Sequence, residues 1–493
     1  MPGESSESIT ASSGADLFNP AGNHIPPNVR KIHLIAACGT GMGALACMLG
    51  EMGFHVTGSD HNVYPPMSHF LMEKGVTLFD GYRAANLDNS PDLIVIGNAV
   101  SRGNVEAEEV LKRGMAYCSM PQALNHFAGH GKKKIVVTGT HGKTTTASLI
   151  AHILHFAGLD PTFMIGGIIK GFQSNYRIGK GSWIIIEGDE YDTAFFDKGP
   201  KFMHYPPDVA VITGVEFDHA DIFRDLPHIK DFFRKFVNKI SRESLILACA
   251  QGNTLSDILP AAKCHIEYYG INEEEYPLAW SFSGLARESA KTRFTLINPA
   301  KESCTVKTSM MGSHNALNTI AAFGAAKRAG VADEVILDAL NHFKGIRRRQ
   351  EIRGIKNGIT VMDDFAHHPS AVRETIAAVK PFFTGGRLIA VFEPRTNSSM
   401  RDIFQADYAA SFDDADIACV REPSMLEKIP ENERLSTKQM VMDIAKRGVD
   451  AFYFEDTCQI IDFIVKSARP QDVVLIMSNG GFDNIHEQLL EQL

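Results

Sequence analysis

Short apolar runs alternate with helix-like stretches along most of the chain. In the first third, the runs "KIHLIAA", "FHVTGSD" and "DLIVIGNA" are separated by stretches such as Met42–Met52 and Val105–Arg113. Strands that are apolar throughout, with helices between them, are typical of a parallel sheet that is covered on both faces. The pattern therefore predicts an α/β fold.

Two further blocks repeat this alternation. A segment rich in glycine and lysine, "AGHGKKK", ends the first block, and the next apolar strand begins at Ile135. The second block contains "WIIIEGDE", "DVAVITGV" and "SLILAC", and two helices near Ala316–Ala329 and Asp333–His342 close it. The third block opens with "GIRRRQEIRG" and contains "ITVMDD", "LIAVFEP", "DIACVRE" and "DVVLIMSN". We therefore predict a disordered leader at 1–28 and three α/β domains at 29–131, 132–343 and 344–493.

The composition excludes several classes of protein. A net charge of −9 disfavours general binding to nucleic acid or anionic membranes, which requires clustered positive charge. The eight cysteines form no CxxC pair, which favours reduced thiols over a disulfide framework or a zinc site. No apolar run approaches the ~20 residues of a membrane span, and the polar N-terminus lacks the pattern of a secretory signal. These features predict a cytoplasmic protein.

The segment "GTHGKTTT" is one candidate nucleotide site. It lies between a predicted strand and a predicted helix, where backbone N–H groups and the helix N-terminus bind phosphate. Gly139 and Gly142 would let the loop close on phosphate oxygens. Lys143 would reach the β- and γ-phosphates, and Thr144 would bind magnesium. Only two residues separate the glycines, whereas the standard loop has four, so an ordinary strand–turn–helix junction is the alternative.

Another glycine-rich turn lies earlier in the chain, in "LIAACGTGMGALACML". Gly39, Gly41 and Ala44 fit the pattern G-x-G-x-x-G/A after a strand, and Asp60 follows where an acid that binds ribose is expected. Read alone, the pattern indicates NAD. Any diphosphate nucleotide, including a UDP-sugar, meets the same physical requirements, and a tight turn without a ligand is the third interpretation.

Carboxylates follow two strands of the second block. Glu187 ends the strand "WIIIE" and is a candidate magnesium ligand, because Mg²⁺ prefers oxygen ligands and usually takes one or two carboxylates. The segment "VITGVEFDHADIF" places Glu216 and His219 just beyond another strand. His219 would ligate a metal or bind a phosphate. A solvated acidic turn and a structural histidine are the respective alternatives.

Polar residues cluster at three further points. His314 and Asn315 lie at a predicted helix start, where capping by Asn315 is an equally good interpretation. The segment "VMDDFAHHPSAV" places Asp364 and His367 between a strand and a helix that begins with proline. Two adjacent acids with two adjacent histidines favour a functional loop. Arg347–Arg349 marks the junction of the second and third blocks, either as a ligand contact or as a solvated basic hinge.

The order of these segments resembles that of a known family. "GTHGKTTT", the acidic strand, "EFDHADIF", "GSHNALN", "RRRQE" and "DDFAHHP" together resemble the ATP-dependent Mur ligases of bacterial cell-wall synthesis, and the resemblance runs from about Lys31 to the C-terminus. It implies a Rossmann-like UDP-binding domain, a central P-loop ATPase-like domain and a C-terminal Rossmann-like domain. ATP would bind at the glycine turn of "GTHGKTTT" and a UDP-sugar at the first glycine turn of the chain, Gly39–Gly41, with no nicotinamide.

The resemblance also implies a reaction. The stretches "GSDHNVYPPMS", "EGDEYDTAFFDKGPKF", "FEPRTNSSM" and "MSNGGFDNIH" are similar to family members that join UDP-N-acetylmuramate to the murein tripeptide L-alanyl-γ-D-glutamyl-meso-diaminopimelate in cell-wall recycling. The implied cofactors are ATP and Mg²⁺, and no nucleic acid or membrane partner is implied. The alternatives are a ligase that adds L-alanine to UDP-N-acetylmuramate, an NAD-dependent oxidoreductase, and a non-catalytic UDP-sugar sensor that uses ATP as a switch.

The family motifs imply a role for individual positions. Lys143, Glu187 and His219 would be catalytic, with Thr144, Glu187 and His219 at the metal. Arg395 and Asn397 would contact the tripeptide, Arg395 by analogy with an arginine that binds diaminopimelate in a related ligase. The residues expected at ATP are Gly139, Thr140, His141, Gly142, Lys143, Thr144, Thr145, His314, Asn315, Arg349, Asp364 and His367. The residues expected at the UDP-sugar are Gly39, Thr40, Gly41, Met42, Gly43, Ser59, Asp60, Asn98, Ser101 and Arg102.

Overall fold

The computed structural model describes residues 22–64, 67–218, 220, 222–252, 254–271 and 276–493. Over these ranges the chain divides into two compact units. The first unit comprises the described residues up to Ala128 together with Asp192–Lys198, and the second comprises Gly129–Tyr191 and Gly199–Leu493. Residues 1–21 of the predicted leader lie outside the described residues.

A parallel sheet forms the centre of the first unit. Its strands are β1 (Lys31–Ile35), β2 (His55–Asp60), β3 (Thr77–Asp80), β4 (Leu93–Ile96) and β5 (Tyr117–Ser119), and its helices are α1 (Thr40–Glu51), α2 (Met67–Glu73), α3 (Val105–Lys112) and α4 (Met120–Ala123). The strand order is β3-β2-β1-β4-β5, so the direction of winding reverses between β1 and β4. Ligands of α/β sheets bind outside the carboxyl ends of the strands at such a reversal. The glycine turn that follows β1 lies at this position.

The second unit contains two larger sheets. The first of them carries the segment that begins at Gly139, "GTHGKTTT", which we call the phosphate loop. This central sheet is formed by β6 (Lys133–Thr138), β7 (Thr162–Ile169), β8 (Ser174–Arg177) and β9 (Trp183–Glu187). A separate two-stranded sheet comes next along the chain, made of β10 (Asp192–Ala194), which belongs to the first unit, and β11 (Asp197–Pro200). The central sheet continues with β12 (Val209–Ile212), β13 (Leu245–Cys249), β14 (His265–Gly270), β15 (Leu278–Glu288), β16 (Lys291–Ile297) and β17 (Ser303–Thr308), in the order β17-β16-β15-β14-β13-β12-β6-β9-β7-β8.

Helices cover the central sheet and explain its apolar strands. They are α5 (Lys143–Phe156), α6 (Leu226–Lys239), α7 (Leu255–Ile258), α8 (Ser313–Arg328) and α9 (Asp333–His342). Helix α5 packs against α8 and α9, and its apolar side chains join those of β6 in one core, with Ile135 and Ile150 both fully buried. Because β6 lies in the middle of the sheet, the loop that follows it is anchored by strands on both sides.

The last sheet has the order β18-β19-β23-β20-β21-β22. Its strands are β18 (Glu351–Lys356), β19 (Ile359–Asp364), β20 (Leu388–Phe392), β21 (Ile417–Arg421), β22 (Asp450–Phe454) and β23 (Val473–Met477), and its helices are α10 (Pro369–Val379), α11 (Gln405–Ala410), α12 (Thr437–Lys446), α13 (Thr457–Ser467) and α14 (Ile485–Gln492). Only the edge strand β18 runs antiparallel to its neighbour, among the strands assigned in this part of the chain. The α/β prediction is confirmed, while the exact domain bounds remain predictions.

None of the helices in the described ranges is long and apolar enough to cross a membrane.

Candidate functional site

The phosphate loop between β6 and α5 has a conformation that requires its two glycines. Gly139 has a φ of +124° and Gly142 a φ of +80°, a region of backbone space that favours glycine. A β-carbon at Gly139 would lie 2.7 Å from the carbonyl oxygen of Gly214, and one at Gly142 would collide with the amide of Asn318. The loop is therefore held tightly, and it leads directly into the N-terminus of α5, where anions bind favourably.

Lys143 is a buried cation at this loop. Only 9% of the residue is exposed, and its Nζ donates to the carbonyl oxygens of Gly139 and Thr140 at 2.5 and 3.0 Å and to Glu190 Oε2 at 2.6 Å. Burial alone would lower the pKa of Lys143, but the carboxylates of Glu190 and Asp189 raise it above its ordinary value. The ammonium group is therefore charged and fixed in place.

Thr144 and Glu187 bring two hard oxygen ligands together beside Lys143. Thr144 Oγ1 donates to Glu187 Oε1 at 2.8 Å, and Gly166 N donates to Glu187 Oε2 at 2.6 Å. Arg349, at the start of the last domain, contacts the same hydroxyl, and its NH2 lies 3.5 Å from Thr144 Oγ1. A hydroxyl and a carboxylate next to a phosphate loop suit Mg²⁺. His219, the third predicted metal ligand, lies outside the described residues.

A second group of polar side chains surrounds the carboxylate of Glu216, just after β12. Its Oε2 lies 3.5 Å from His141 Nε2 and accepts a hydrogen bond from Ser370 Oγ at 2.8 Å. The imidazole of His368 is part of the same group, because ligand atoms of His141, Glu216 and His368 all lie within 4.8 Å of one another. The interaction with His141 lowers the pKa of Glu216 to about 2, whereas burial lowers the pKa of His368 to about 4. The group therefore combines an ionised carboxylate with a neutral imidazole.

The loop after β19 supports Arg349. The guanidinium of Arg349 lies 4.9 Å from the centre of the Phe365 ring, at the distance of a cation–π contact. Asp364 is almost fully buried, its Oδ2 accepts from the backbone N–H of Gln350 at 2.8 Å, and burial raises its pKa. Burial also lowers the pKa of His367 to about 4. Asp364 thus holds the backbone next to Arg349.

Asn315 lies inside helix α8, and the capping interpretation is wrong. The N-cap of α8 is Gly312, which has no side-chain cap. Asn315 is 3% exposed, and its amide oxygen accepts from Asn318 at 3.1 Å. Asn318 in turn accepts from Thr146 Oγ1 at 3.2 Å, so this chain of hydrogen bonds ties α8 to the first turns of α5. His314, on the same helix, lies 3.7 Å from a carboxylate oxygen of Glu374.

In the first unit, the end of β2 holds the first glycine turn in place. Asp60 Oδ2 accepts from the backbone N–H of Cys38 at 2.8 Å. The side chain of Ser59 is fully buried and contacts Glu106 and His33, the latter at 3.3 Å. Burial alone would raise the pKa of Glu106, but hydrogen bonds from His33 and Ser59 lower it. The Ser59 hydroxyl is therefore part of this buried group, and its contact with a UDP-sugar stays a prediction.

The other positions predicted for the UDP-sugar fall into two sets by burial. Met42 and Gly43 are buried in α1, where a β-carbon at Gly43 would lie 3.1 Å from Met67 Sδ. The remaining positions are exposed or partly exposed after β1 and β4, namely Gly39, Thr40, Gly41, Asn98, Ser101 and Arg102. Both loops follow the strands that flank the reversal of winding, which is where a nucleotide is expected.

Arg395 follows β20 and packs against the loop that follows β23. A β-carbon at Gly480 would lie 2.7 Å from Arg395 Cζ, so the glycine makes room for the arginine. One third of the Arg395 side chain is exposed, and its NH1 lies 3.8 Å from Oε1 of the fully buried Glu393. Asn397 Oδ1 accepts from Arg401 Nε at 2.8 Å. Arg395 therefore keeps part of its side chain exposed, whereas the Asn397 oxygen accepts a hydrogen bond within the protein.

Sequence reasoning missed two buried carboxylates. Glu190, which pairs with Lys143, sits among other acids in "EGDEYD", and nothing in that pattern distinguishes the buried acid from the solvated ones. Glu106 had a usable signal, since it lies in the first turn of a predicted amphipathic helix that also buries Ala107 and Val110. A charged residue that shares a buried helix face needs polar partners.

Comparison with known proteins matches three consecutive segments of the chain to one family. Residues 31–132 match the family model described as "Mur ligase family, catalytic domain", residues 137–326 match "Mur ligase middle domain", and residues 348–480 match "Mur ligase, glutamate ligase domain". The UDP-N-acetylmuramate–L-alanyl-γ-D-glutamyl-meso-2,6-diaminoheptandioate ligase of Escherichia coli is 40% identical over 94% of this chain and 98% of its own length. The ligase of the same name from Haemophilus influenzae is 38% identical over 94% and 99%. The crystal structure of a murein peptide ligase from Psychrobacter arcticus aligns with a TM-score of 0.69 at 35% identity, over 94% of this chain and 98% of its own.

Proposed function

The chain belongs to the Mur ligase family of ATP-dependent ligases, and we propose that it joins UDP-N-acetylmuramate to the tripeptide L-alanyl-γ-D-glutamyl-meso-diaminopimelate. The convergence of Lys143, Thr144, Glu187 and Arg349 on one phosphate loop carries the assignment of ATP. The choice of the other two substrates rests on the relatives that match the chain over nearly its whole length. The proposal includes a cytoplasmic location, where both nucleotides are found.

The reaction proceeds in two balanced steps. A lactyl carboxylate oxygen of UDP-N-acetylmuramate attacks the γ-phosphorus of ATP, and ADP leaves with the bridging oxygen. The α-amine of the tripeptide then attacks the acyl carbon, loses a proton and displaces inorganic phosphate, which leaves an amide. Phosphoryl transfer of this kind is catalysed mainly by positioning and by charge stabilisation, and this chain supplies fixed positive charge at the loop.

Each residue at the loop has a distinct task in that scheme. The backbone of Gly139–Gly142 and the N-terminus of α5 bind the phosphates, and the Lys143 ammonium stabilises negative charge that develops on the transferred group. Arg349 brings a second cation to the same place. Asp364 positions Arg349 through the backbone of Gln350.

Thr144 and Glu187 would hold Mg²⁺, which would neutralise phosphate charge when bound. Thr144 Oγ1 already donates to Glu187, so the two ligands are held together before any ion arrives. His219 remains a proposed third ligand by resemblance to the family.

The UDP-sugar would bind in the first unit. The turn at Gly39–Gly41 presents the N-terminus of α1 to the diphosphate, and Asp60 keeps that turn in shape through Cys38 N. Asn98, Ser101 and Arg102 on the loop after β4 are the proposed sugar and uridine contacts. Of this set, Arg102 provides the positive charge that a diphosphate requires.

Phosphate release with purified protein tests this function. ATP, magnesium and UDP-N-acetylmuramate are supplied with either the tripeptide or L-alanine as the amine. We expect release that depends on the tripeptide and a product whose mass equals the two substrates less one water. Release with L-alanine instead would make the chain an L-alanine-adding ligase, and release with neither amine would contradict both assignments.

Arg395→Ala should impair use of the tripeptide selectively. We expect kcat/KM for the tripeptide to fall by about 10- to 150-fold, the equivalent of one hydrogen bond to a charged group, because Arg395 would bind a carboxylate of the diaminopimelate residue. The KM values for ATP and UDP-N-acetylmuramate should stay within about twofold of the parent.

Two further variants control that experiment. Arg395→Lys keeps the charge but loses the planar fork, so it should recover only part of the activity. Arg447→Ala removes an exposed arginine that pairs with Asp413 in the same domain and should leave every constant unchanged. An Arg395→Ala enzyme with normal kcat/KM for the tripeptide would remove Arg395 from the peptide site.

A further inference from the structure

Glu216 connects the phosphate loop of the central domain with the first turn of α10 in the last domain. The backbone N–H of Glu216 donates to Thr140 Oγ1 at 2.9 Å, and Thr140 Oγ1 donates to Glu216 O at 3.2 Å. Its carboxylate faces His141 on the loop and accepts from Ser370 Oγ in α10. The residue thus contacts the loop through its backbone and α10 through its side chain.

The tautomer of His368 argues against a transition metal at this group. The three side chains lie close enough to share an ion, but His368 Nδ1 accepts from Ser370 N at 3.3 Å as the N-cap of α10. Because the ring is neutral, the proton must then be on Nε2. A protonated nitrogen cannot ligate a metal, so binding would first require the loss of the helix cap.

The same tautomer gives Nε2 another use. Among the described residues, the buried Nε2 atoms of His141 and His368 have no hydrogen-bond partner, and both imidazoles belong to the same cluster as the ionised carboxylate of Glu216. The His368 N–H is therefore a donor in a cluster that contains an anion. The carboxylate also lies at the N-terminus of α10, an 11-residue helix, where negative charge is favourable.

We propose that Glu216 is a positioning residue that couples the phosphate loop to α10, and that it acts with Ser370 and His368 to hold the last domain over the ATP site. This role rests on the proposed use of ATP at the loop. Glu216 does not touch the reacting atoms. It keeps the position of α10, and therefore of the loop that carries Asp364 and His367, dependent on the position of His141.

Four variants test the coupling. Glu216→Ala and Ser370→Ala each remove one side of the contact, the double variant removes both, and Glu216→Gln removes the charge while keeping an oxygen that accepts from Ser370. We expect each alanine variant to raise the KM for ATP about tenfold, as loss of one hydrogen bond to a charged group would, with KM for UDP-N-acetylmuramate unchanged. The double variant should be no worse than Glu216→Ala, since that substitution already breaks the contact with Ser370.

The matched control is another serine–glutamate pair. Ser241 Oγ donates to Glu243 Oε2 at 2.9 Å on the exposed surface of the same unit. Ser241→Ala and Glu243→Ala should leave the KM for ATP unchanged. Independent, additive effects of Glu216→Ala and Ser370→Ala, or an unchanged KM in either, would overturn the proposal.

Hydrogen exchange of the nucleotide-free protein tests the same contact without turnover. The amides of Ser370 and the following residues of α10 should exchange faster in Glu216→Ala and in Ser370→Ala than in the parent, with melting temperatures close to the parent value. Equal exchange rates would overturn the proposal. If the parent releases no phosphate with either amine, the proposed function fails, while the exchange measurement still decides whether Glu216 holds α10.

Discussion

Lys143→Met is expected to reduce phosphate release by about 100- to 1,000-fold, an effect of the size seen when a preorganised charge-stabilising donor is removed. The Lys143 ammonium is fixed by two carbonyl oxygens of its own loop and by Glu190. A cation that is held in place before the reaction stabilises the transition state without reorganisation. Methionine has nearly the same length but supplies no charge, so the substitution tests the charge rather than the volume.

The loss of Lys143 also leaves a buried charge behind. Glu190 is 2% exposed, and removing one partner of a buried ion pair costs about 3–5 kcal/mol. Lys143→Met alone is therefore expected to lower the melting temperature. The double variant Lys143→Met/Glu190→Gln removes both charges and should regain most of the stability while it stays inactive. That combination separates catalytic loss from unfolding.

Isothermal titration with UDP-N-acetylmuramate completes the test of Lys143. The phosphate loop belongs to one unit and the first glycine turn to the other, so the double variant should bind the UDP-sugar with the parent affinity. Lys263→Met, which replaces an exposed lysine, is the control for turnover. Loss of UDP-sugar binding in the double variant would contradict the assignment of the two nucleotides to separate turns, and turnover near the parent rate would contradict the role of Lys143.

The elements that the sequence predicts well are those whose own residues determine them. The apolar runs "KIHLIAA" and "IVVTG" lie in the parallel strands Lys31–Ile35 and Lys133–Thr138, the second of which begins two residues before the predicted Ile135. Buried strands need apolar side chains on both faces. The helix predicted near Asp333–His342 is observed with these bounds. The glycines of the phosphate loop do adopt positive φ, which is a local property of the chain.

Contacts between residues that are distant in the chain could not be predicted from the sequence in the same way. The pattern around Ser59 in β2 gives no sign that its hydroxyl contacts the buried Glu106, 47 positions later in the chain. Asn315 is a residue type that often caps helices, yet α8 starts earlier. Its amide oxygen accepts from Asn318 within α8, and Asn318 accepts from Thr146 of α5. The strands β15–β17 extend the central sheet in antiparallel fashion, which no alternation of strands and helices indicates. In each case a contact between distant segments decides the outcome.

Glu187→Gln is the second substitution with a large expected effect. Glu187 accepts from Thr144 Oγ1 through one oxygen and from Gly166 N through the other. A glutamine can accept from Gly166 N with its oxygen and donate to the Thr144 hydroxyl with its amide, because a hydroxyl both donates and accepts. The fold around the loop should therefore persist, and only the negative charge is lost.

Loss of that charge should weaken the magnesium site, because Mg²⁺ is bound in such sites by only one or two carboxylates. We expect kcat to fall by about 100- to 1,000-fold at a fixed magnesium concentration, as for loss of a major electrostatic contribution, and the magnesium concentration for half-maximal rate to rise. Glu267→Gln is the matched control, since Glu267 is also a partly buried carboxylate on the central sheet and accepts from Trp280 Nε1 at 2.6 Å. It should alter neither quantity. A Glu187→Gln protein with the parent's magnesium dependence but a lower kcat would show that Glu187 serves Thr144 and the loop rather than the ion.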